Sequence, residues 1–438
     1  MKISLASLGC SKNLVDAEQM LGIINEKQWE IVENEEDADI MVVNTCAFIE
    51  SAIRESLDCI FELISLKKKD NHKKLIVTGC MAQRYKEDIL SEIPEVDAVV
   101  GTNDFHEIAK VIENLSEERV VLCSGEEKNI EGLPRMLTTP PYTAYIKIAD
   151  GCDNKCTYCA IPSIRGKYRS RKIEDIVAEA QKLAEDGAKE LIVIAQDTTR
   201  YGMDIYGEYR LSQLLRELCK IEKLKWIRVH YCYPELVNEE LIRTFKEEEK
   251  LCNYFDIPIQ HASDKILKRM GRRTNREQLI NMLNLIRTEI PDAIIRTSLI
   301  TGFPGETQED YDILKEFVEF AKFDRLGVFA YSQEEGTPAA KLDGQIDQEE
   351  KIARQEGIML IQSEISEELN RKKIGQTLEV LVEGRDEIIK SYFGRTYGDS
   401  IDIDGKVFFK SDNKLQEGYF VKVLINESLE YDLFGEEI

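Results

Sequence analysis

Short apolar segments of strand length alternate with segments of helical periodicity through the first third of the chain. This order favours a parallel, doubly wound sheet, because each strand needs a helical crossover to bring the chain back to the same edge. We therefore expect residues 1–125 to form an α/β domain with a parallel sheet. The predicted strands are Ile3–Leu8, Ile40–Asn44, Leu75–Thr78 and Ala98–Val100, and the predicted helices are Leu14–Glu26, Ser51–Leu66 and Lys86–Ile93.

Three cysteines follow the first three of these strands. Cys10, Cys46 and Cys80 each come directly after a strand-like segment. The carboxyl ends of parallel strands lie at one edge of a sheet, where ligands bind. Three thiols at equivalent strand ends therefore indicate an iron–sulfur cluster site, although a buried structural cysteine is the usual explanation for any one of them.

A second run of alternating segments follows a connector that we place at residues 126–140, which is rich in Gly and Pro. Six strands alternating with helices predict a partial (β/α)6 barrel over residues 141–370, with functional residues on the loops after the strands. The predicted strands are Tyr142–Ile148, Leu191–Ala195, Trp226–Tyr231, Tyr254–Ile259, Ala293–Ile300 and Leu326–Tyr331, and the helices between them include Ile173–Glu185, Leu211–Ile221, Arg276–Thr288 and Tyr311–Phe320.

The loop after the first of these strands carries Cys152, Cys156 and Cys159. Three thiolates on one tight loop can bind three irons of a 4Fe-4S cube and leave the fourth iron open for a small molecule. A structural zinc site, the alternative, usually takes four ligands arranged in Cys-x2-Cys pairs. The spacing therefore favours the cluster.

The last segment, residues 374–438, contains short β-runs separated by Gly turns, which is typical of a small antiparallel β-barrel. It has 7 Lys/Arg against 14 Asp/Glu, a net charge of −7. Such a surface repels phosphates and attracts a basic protein. The predicted strands are Thr377–Glu383, Ser400–Ile403, Lys406–Phe409 and Tyr419–Asn426.

Composition restricts the class of protein. The 438 residues carry a net charge of −24, which argues against stable nucleic-acid binding. Eleven cysteines are too few in a chain of this length for a disulfide scaffold, and free thiols are typical of a reducing compartment. No apolar run reaches the length of a membrane span, and no signal peptide is visible. We therefore expect a cytoplasmic protein without a membrane partner.

Together these features resemble the methylthiotransferase branch of the radical S-adenosylmethionine (SAM) enzymes, whose loop signature is Cys-x3-Cys-x2-Cys. The sequence Ser-Leu-Gly-Cys-Ser-Lys-Asn-Leu-Val-Asp at residues 7–16 is similar to the members that modify an aspartate of a ribosomal protein. Members that modify tRNA usually carry a different sequence after the first cysteine. Ser11 replaces the usual Pro and Ala17 a usual Ser. The segment at residues 159–166 also resembles the protein-modifying members.

The resemblance implies an enzyme that inserts a methylthio group at the β-carbon of an aspartate in a small-subunit ribosomal protein; the alternative is a tRNA adenosine methylthiotransferase. It also implies two 4Fe-4S clusters, SAM as radical source and as methyl donor, a reductant such as flavodoxin or ferredoxin, a sulfur donor, and a C-terminal TRAM-like barrel for substrate recognition. No side-chain acid or base removes hydrogen from an unactivated carbon, so the cofactor must supply this chemistry.

Several residues are candidates for the SAM site. Tyr158 occupies the aromatic position that contacts adenine in relatives, and loop packing is its alternative role. Gln196 and Gln260 lie at strand ends. Gly302 and Gly305 would let the backbone approach a ligand, although a simple strand-to-helix turn explains them equally well. Arg165 and Arg169 could hold a carboxylate of substrate or SAM, or form a solvated helix face.

Overall fold

The computed structural model describes residues 1–115, 119–124 and 131–438. Residue 125, the predicted end of the first domain, and residues 126–130 of the predicted connector lie outside this range. Within it, no helix is long and apolar enough to cross a lipid bilayer.

The N-terminal segment forms a six-stranded sheet in the order β2-β1-β3-β4-β5-β6, with every neighbouring pair parallel. The short β2 and β6 are strands that the sequence analysis missed. The elements are β1 (Lys2–Ser7), α1 (Ser11–Glu26), β2 (Glu30–Ile31), β3 (Ile40–Thr45), α2 (Glu50–Lys69), β4 (Lys74–Gly79), α3 (Cys80–Tyr85), α4 (Glu87–Glu92), β5 (Ala98–Val100), α5 (Ile108–Asn114) and β6 (Val120–Leu122).

The central segment begins with a parallel strand and a short hairpin that frames the cysteine loop. Its first elements are β7 (Thr143–Lys147), β8 (Ala149–Asp150), α6 (Ile161–Arg165), β9 (Arg169–Ser170), α7 (Ile173–Glu185), β10 (Glu190–Ile194), α8 (Met203–Tyr206), α9 (Leu211–Cys219) and β11 (Trp226–Val229). The remaining elements are α10 (Glu239–Glu247), β12 (Leu251–Asp256), α11 (Asp264–Arg269), α12 (Arg276–Glu289), β13 (Ile294–Thr301), α13 (Gln308–Ala321), β14 (Arg325–Ala330) and α14 (Gln348–Arg371).

Six central strands form one parallel sheet in the order β14-β13-β12-β11-β10-β7. Alternate residues face opposite sides of each strand, as the pleat requires. On β10, Leu191 and Val193 pack into the large core under the helices, whereas Ile192 and Ile194 pack with Tyr145 in a separate cluster on the other face. The two edge strands are not paired with each other, so the predicted partial barrel is confirmed.

The C-terminal segment is a closed barrel in the order β15-β16-β17-β19-β18. Its strands are β15 (Thr377–Asp386), β16 (Ser391–Arg395), β17 (Val407–Lys410), β18 (Phe420–Ser428) and β19 (Leu433–Glu437). Four neighbouring pairs are antiparallel as expected, but β17 and β19 are parallel.

The predicted strand Ser400–Ile403 is wrong, because this segment is a turn. Its polar groups bond to other partners. The Ser400 N–H donates to Asp404 Oδ2 at 2.8 Å, and Ser400 Oγ lies 3.0 Å from His230 Nε2 of the central domain. Ile401 packs against the cluster of Tyr145 and Ile192. The segment therefore docks the C-terminal barrel onto the central domain instead of extending its sheet.

A buried ion pair joins the same two units. Glu190, at the start of β10, accepts hydrogen bonds from Arg395 of β16 at 2.7 Å and from Arg228 of β11 at 3.0 Å. All three side chains are almost inaccessible to solvent. A buried carboxylate needs such partners, since an unpaired charge away from water is costly.

Candidate functional site

The first cysteine set lies at the carboxyl edge of the N-terminal sheet. Cys10 caps α1 after β1, Cys46 follows β3, and Cys80 begins α3 after β4. The three strands are neighbours in the sheet, so the cysteines lie on adjacent loops. A methyl group built on Gly9 would lie 2.7 Å from Cys46 Cβ and 3.0 Å from its Sγ, so this close approach requires a glycine.

Asn13 connects the loops of this set. Its Nδ2 donates to the carbonyl oxygen of Leu8 at 3.1 Å, two residues before Cys10. It also donates to the carbonyl oxygen of Thr45 at 2.9 Å, directly before Cys46. Its Oδ1 accepts from Cys80 Sγ at 3.4 Å. This fully buried amide therefore fixes the relative positions of all three loops.

The charges around the first set differ from thiol to thiol. Burial raises the pKa of Cys10, but the ammonium of Lys12 and the guanidinium of Arg165 outweigh burial and bring the pKa below its usual value. Burial raises the pKa of Cys80 to about 12, even though Arg165 opposes the shift. The charge of each neighbouring thiolate also raises the pKa of Cys80, because all three thiols are close together.

The second cysteine set lies on the loop between β8 and α6. Cys152 and Cys156 are buried and Cys159 is half-buried. Burial raises the pKa of Cys152 to about 11 and that of Cys159 to about 12, and the neighbouring thiolates raise both further. The Cys152 N–H donates to the Gly166 carbonyl at 3.1 Å, and the Cys159 N–H to the Cys156 carbonyl at 3.2 Å. The loop is thus closed upon itself.

The cysteine loop is also held by the opposite side of the barrel. The Thr157 N–H donates to the Met270 carbonyl at 2.9 Å, and Thr157 Oγ1 donates to the Arg269 carbonyl at 2.8 Å. Asn154 Nδ2 donates to Asp197 Oδ2 after β10 at 2.8 Å. Contacts from both sides hold the three thiols in place.

Tyr233 and Arg272 lie beside Cys156. The sequence analysis did not identify Tyr233, whereas Arg272 belongs to a basic cluster after the fourth central strand, for which a place at the barrel mouth is one hypothesis. The Tyr233 hydroxyl lies 3.2 Å from Cys156 Sγ, and the Arg272 guanidinium stacks on the Tyr233 ring at 4.2 Å. Arg272 Nη1 is 3.9 Å from the same sulfur. Tyr233 follows β11, so its position after a parallel strand was the available signal.

Arg165 links the two cysteine sets. It ends α6, directly after the second set, and is 1% exposed. Its guanidinium donates to Asn13 Oδ1 at 2.6 Å, to Asp16 at 2.9 Å and to Asp150 at 3.0 Å. The guanidinium of Arg165 is therefore already paired with carboxylates of the protein, and Arg165 is not part of a solvated helix face.

The other candidate residues lie on the loops after the strands. Tyr158 packs with Met270, Phe303 and Tyr331 in an apolar cluster. Gln196 donates from Nε2 to Asp150 at 3.0 Å, whereas its Oε1 is buried without a hydrogen-bond partner. An orphaned buried oxygen requires an explanation, and a bound ligand would provide one.

Gln260 has a left-handed backbone, with φ +72°, and its N–H and carbonyl bond to β13. Gly302 and Gly305 lie in the turn after β13 with φ +69° and +80°. A methyl group on Gly302 would lie 2.3 Å from Lys351 Cγ, and one on Gly305 would lie 3.1 Å from the Arg269 guanidinium. Both glycines are therefore required by the packing of the turn itself.

The donor chemistry of both sets fits iron–sulfur clusters. In the part of the chain that the structure describes, no three Cys, His, Asp or Glu side chains form a group that could hold a metal ion. A 4Fe-4S cube does not need such a group, because each thiolate binds a different iron. Each set offers three soft thiol donors, the ligand type that selects such clusters.

Models of three known families match the chain in order. They are an uncharacterized protein family, UPF0004, over residues 2–101, the radical SAM superfamily over residues 146–318 and the TRAM domain over residues 374–438.

Solved structures of radical SAM enzymes resemble this chain. The methyltransferase TsrM from Kitasatospora setae, with cobalamin and a 4Fe-4S cluster, aligns with TM-score 0.56 and 15% identity over 77% of this chain and 76% of TsrM. The cobalamin-dependent enzyme OxsB aligns with TM-score 0.53 and 13% identity over 81% of this chain and 56% of OxsB. These likenesses concern the fold alone.

Curated relatives match the chain over its full length. Ribosomal protein uS12 methylthiotransferase RimO of Clostridioides difficile is 56% identical, over 100% of this chain and 98% of the relative. RimO of Lachnoclostridium phytofermentans is 53% identical, over 99% of both chains. With this identity and the radical SAM and TRAM matches, the chain belongs to the RimO family of radical SAM methylthiotransferases.

Proposed function

We propose that this chain inserts a methylthio group at the β-carbon of an aspartate in the small-subunit ribosomal protein uS12. Full-length relatives that are 50–56% identical carry the name of this activity. The structural observation that supports the proposal is the link that Arg165 makes between the surroundings of the two cysteine sets. Arg165 bonds to Asn13 beside the first set and to Asp150 just before the second. The two sets are therefore held at one domain junction, as a reaction that uses both would require.

Cys10, Cys46 and Cys80 would hold one 4Fe-4S cluster, and Cys152, Cys156 and Cys159 would hold the other. When bound, the clusters and SAM supply the radical, the sulfur and the methyl group. The chain's own residues position these groups. Asn13 and Arg165 fix the loops of the two sets, and the apolar cluster around Tyr158 excludes water beside Cys156.

Gln196 and Gln260 would line the SAM site, together with Tyr158. Gly302 and Gly305 would form part of the wall of the SAM site. The turn that they allow packs against α14 and Arg269. Gln196 Oε1, which is buried without a partner, would be free to accept a hydrogen bond from SAM.

Each of the three segments would have its own role in the reaction. Residues 1–125 would carry the first cluster, residues 141–370 the radical SAM site, and residues 374–438, with net charge −7, would attract the basic ribosomal protein. A reductant such as flavodoxin or ferredoxin and a sulfur donor complete the reaction. We place this reaction in the cytoplasm, where ribosomal proteins are available and thiols stay reduced.

The test is an anaerobic reaction of the reconstituted enzyme with SAM, reductant and sulfide, with uS12 and undermodified tRNA offered separately. Peptide mass spectrometry should find SCH3 in place of hydrogen on one aspartate of uS12. Cys10→Ala and Cys156→Ala should each abolish the product. Methylthio-adenosine in tRNA with unmodified uS12 would overturn the proposal in favour of a tRNA enzyme.

A further inference from the structure

Lys12 is a buried cation without a carboxylate partner. It lies two residues after Cys10, in the first turn of α1, and is 7% exposed. Among the residues that the structure describes, no Asp or Glu lies within ion-pair distance of its ammonium. The nearby Asp16 pairs instead with Lys147 and Arg165.

The ammonium of Lys12 faces the central domain. It lies 3.4 Å from the centroid of the Tyr231 ring, which follows β11. Tyr231 has a left-handed backbone, with φ +61°, and its N–H donates to Asp256 at 2.9 Å. Such a conformation is costly for an aromatic residue and persists only where surrounding contacts impose it.

The same region contains the face of the sheet opposite the helical core. Val15, one turn along α1 from Lys12, packs with Ile192 and Ile194 of β10, and Tyr231 borders this cluster. The ammonium therefore lies where the loop of the first cysteine set meets the face of the central sheet that is opposite its helices.

The cost of burying the ammonium of Lys12 indicates that an anionic group binds beside it. Taking an ammonium out of water is costly. A cation–π contact offsets only part of that cost, even when it is desolvated. An ammonium has three donors, so a further anionic acceptor can be accommodated.

We propose that Lys12 binds the side-chain carboxylate of the target aspartate and so selects aspartate over asparagine. This inference rests on the proposed function. The reacting β-carbon is bonded directly to that carboxylate carbon. A carboxylate held by Lys12 would therefore place the β-carbon beside the loop of Cys10, at the junction of the two domains.

The experiment compares uS12 with uS12 in which the target Asp is replaced by Asn. Binding is measured anaerobically to the holoenzyme, to Lys12→Met and to Lys12→Arg. The wild type should bind the Asp form about tenfold or more tightly, as expected for a charge-assisted hydrogen bond. Lys12→Met should bind both forms equally, whereas Lys12→Arg, which keeps the charge, should retain a preference for Asp.

Lys27→Met is the matched control, because Lys27 directly follows the last residue of the same helix and its side chain is 44% exposed in a pair with Glu113. It should keep the wild-type preference. An unchanged preference in Lys12→Met would overturn the inference. Loss of iron from Lys12→Met with the preference intact would also overturn it, because Lys12 would then be only a counter-ion of the cluster. If the wild type leaves the aspartate of uS12 unmodified, the proposed function fails instead.

Discussion

Arg165 donates a 2.6 Å hydrogen bond to Asn13 across the boundary between the central and N-terminal domains. The acceptor oxygen is the same atom that accepts from Cys80, so one amide contacts both the first cysteine set and the end of the loop that carries the second. Any shift of one domain relative to the other would break this bond. The relative position of the two sets is therefore fixed by buried polar contacts.

Replacing Arg165 should destabilise the protein strongly. Arg165→Gln removes the guanidinium that pairs with both Asp16 and Asp150 and leaves these buried carboxylates to share the ammonium of Lys147. Removing one partner of a buried ion pair costs about 3 kcal/mol or more, and urea denaturation of the iron-free chain should show this loss. The control is Arg54→Gln, whose pair with Glu50 is 74% and 67% exposed, and it should change the free energy of unfolding by about 0.5 kcal/mol at most. Equal losses in the two variants would contradict the account.

Iron content should separate the ligand cysteines from the others. With two 4Fe-4S clusters, the reconstituted wild type should contain about eight irons per chain. Cys10→Ala and Cys156→Ala should each retain about half of the iron, because each change disables one site. Cys59→Ala is the control, since Cys59 lies within α2, away from the strand ends, and should keep the full amount. A full iron complement in Cys10→Ala would exclude the first set as a cluster site.

The turn after β13 should not tolerate a side chain at Gly302. Gly302→Ala forces a methyl group to within 2.3 Å of Lys351 Cγ at φ +69°. We expect a loss of about 3 kcal/mol in the free energy of unfolding, from backbone strain and overpacking together. Gly207→Ala isolates the strain, because Gly207 has φ +76° with nothing within 4 Å, and it should lose about 1 kcal/mol. Similar losses at both positions would show that Gly302 does not pack as described.

Acid should weaken the docking of the C-terminal barrel. Burial raises the pKa of Glu190, but Arg395 and Arg228 outweigh burial and lower it from 4.5 to about 2. Because the folded pKa lies below the unfolded one, the stabilisation is complete above pH 4.5 and is lost as the pH falls towards 2.

The measurement is the difference in the free energy of unfolding between the wild type and Glu190→Gln, taken on the iron-free chain across this pH range. The part of the difference that comes from ionisation, about 3 kcal/mol for such a shift, should disappear between pH 4.5 and 2. A difference that is independent of pH would show that the carboxylate is not stabilised by its arginines.

Periodicity and topology rules predicted the parts of the fold that local sequence determines. The strands that precede Cys10, Cys46 and Cys80 lie where the apolar segments indicated, since apolar strand length and parallel order are local properties. The alternating residues of Ser400–Ile403 misled the prediction, because docking to His230 and Tyr145 overrode a strand-like pattern.

The contacts between domains could not be predicted. Nothing in the local sequence indicates that Arg165 and Lys12 are buried, because tertiary packing alone buries them. Tyr233 and Arg272 approach Cys156 from separate loops, 77 and 116 residues away along the chain. No local pattern encodes such distances.

The most direct test of the central claim follows one hydrogen atom. Wild-type holoenzyme is incubated with SAM, reductant, sulfide and uS12 that carries deuterium on the β-carbons of its aspartates. The account predicts deuterium in the 5′-deoxyadenosine that is released and a methylthio group on one aspartate of the same sample. 5′-Deoxyadenosine without deuterium, from a reaction that leaves every aspartate unmodified, would contradict it.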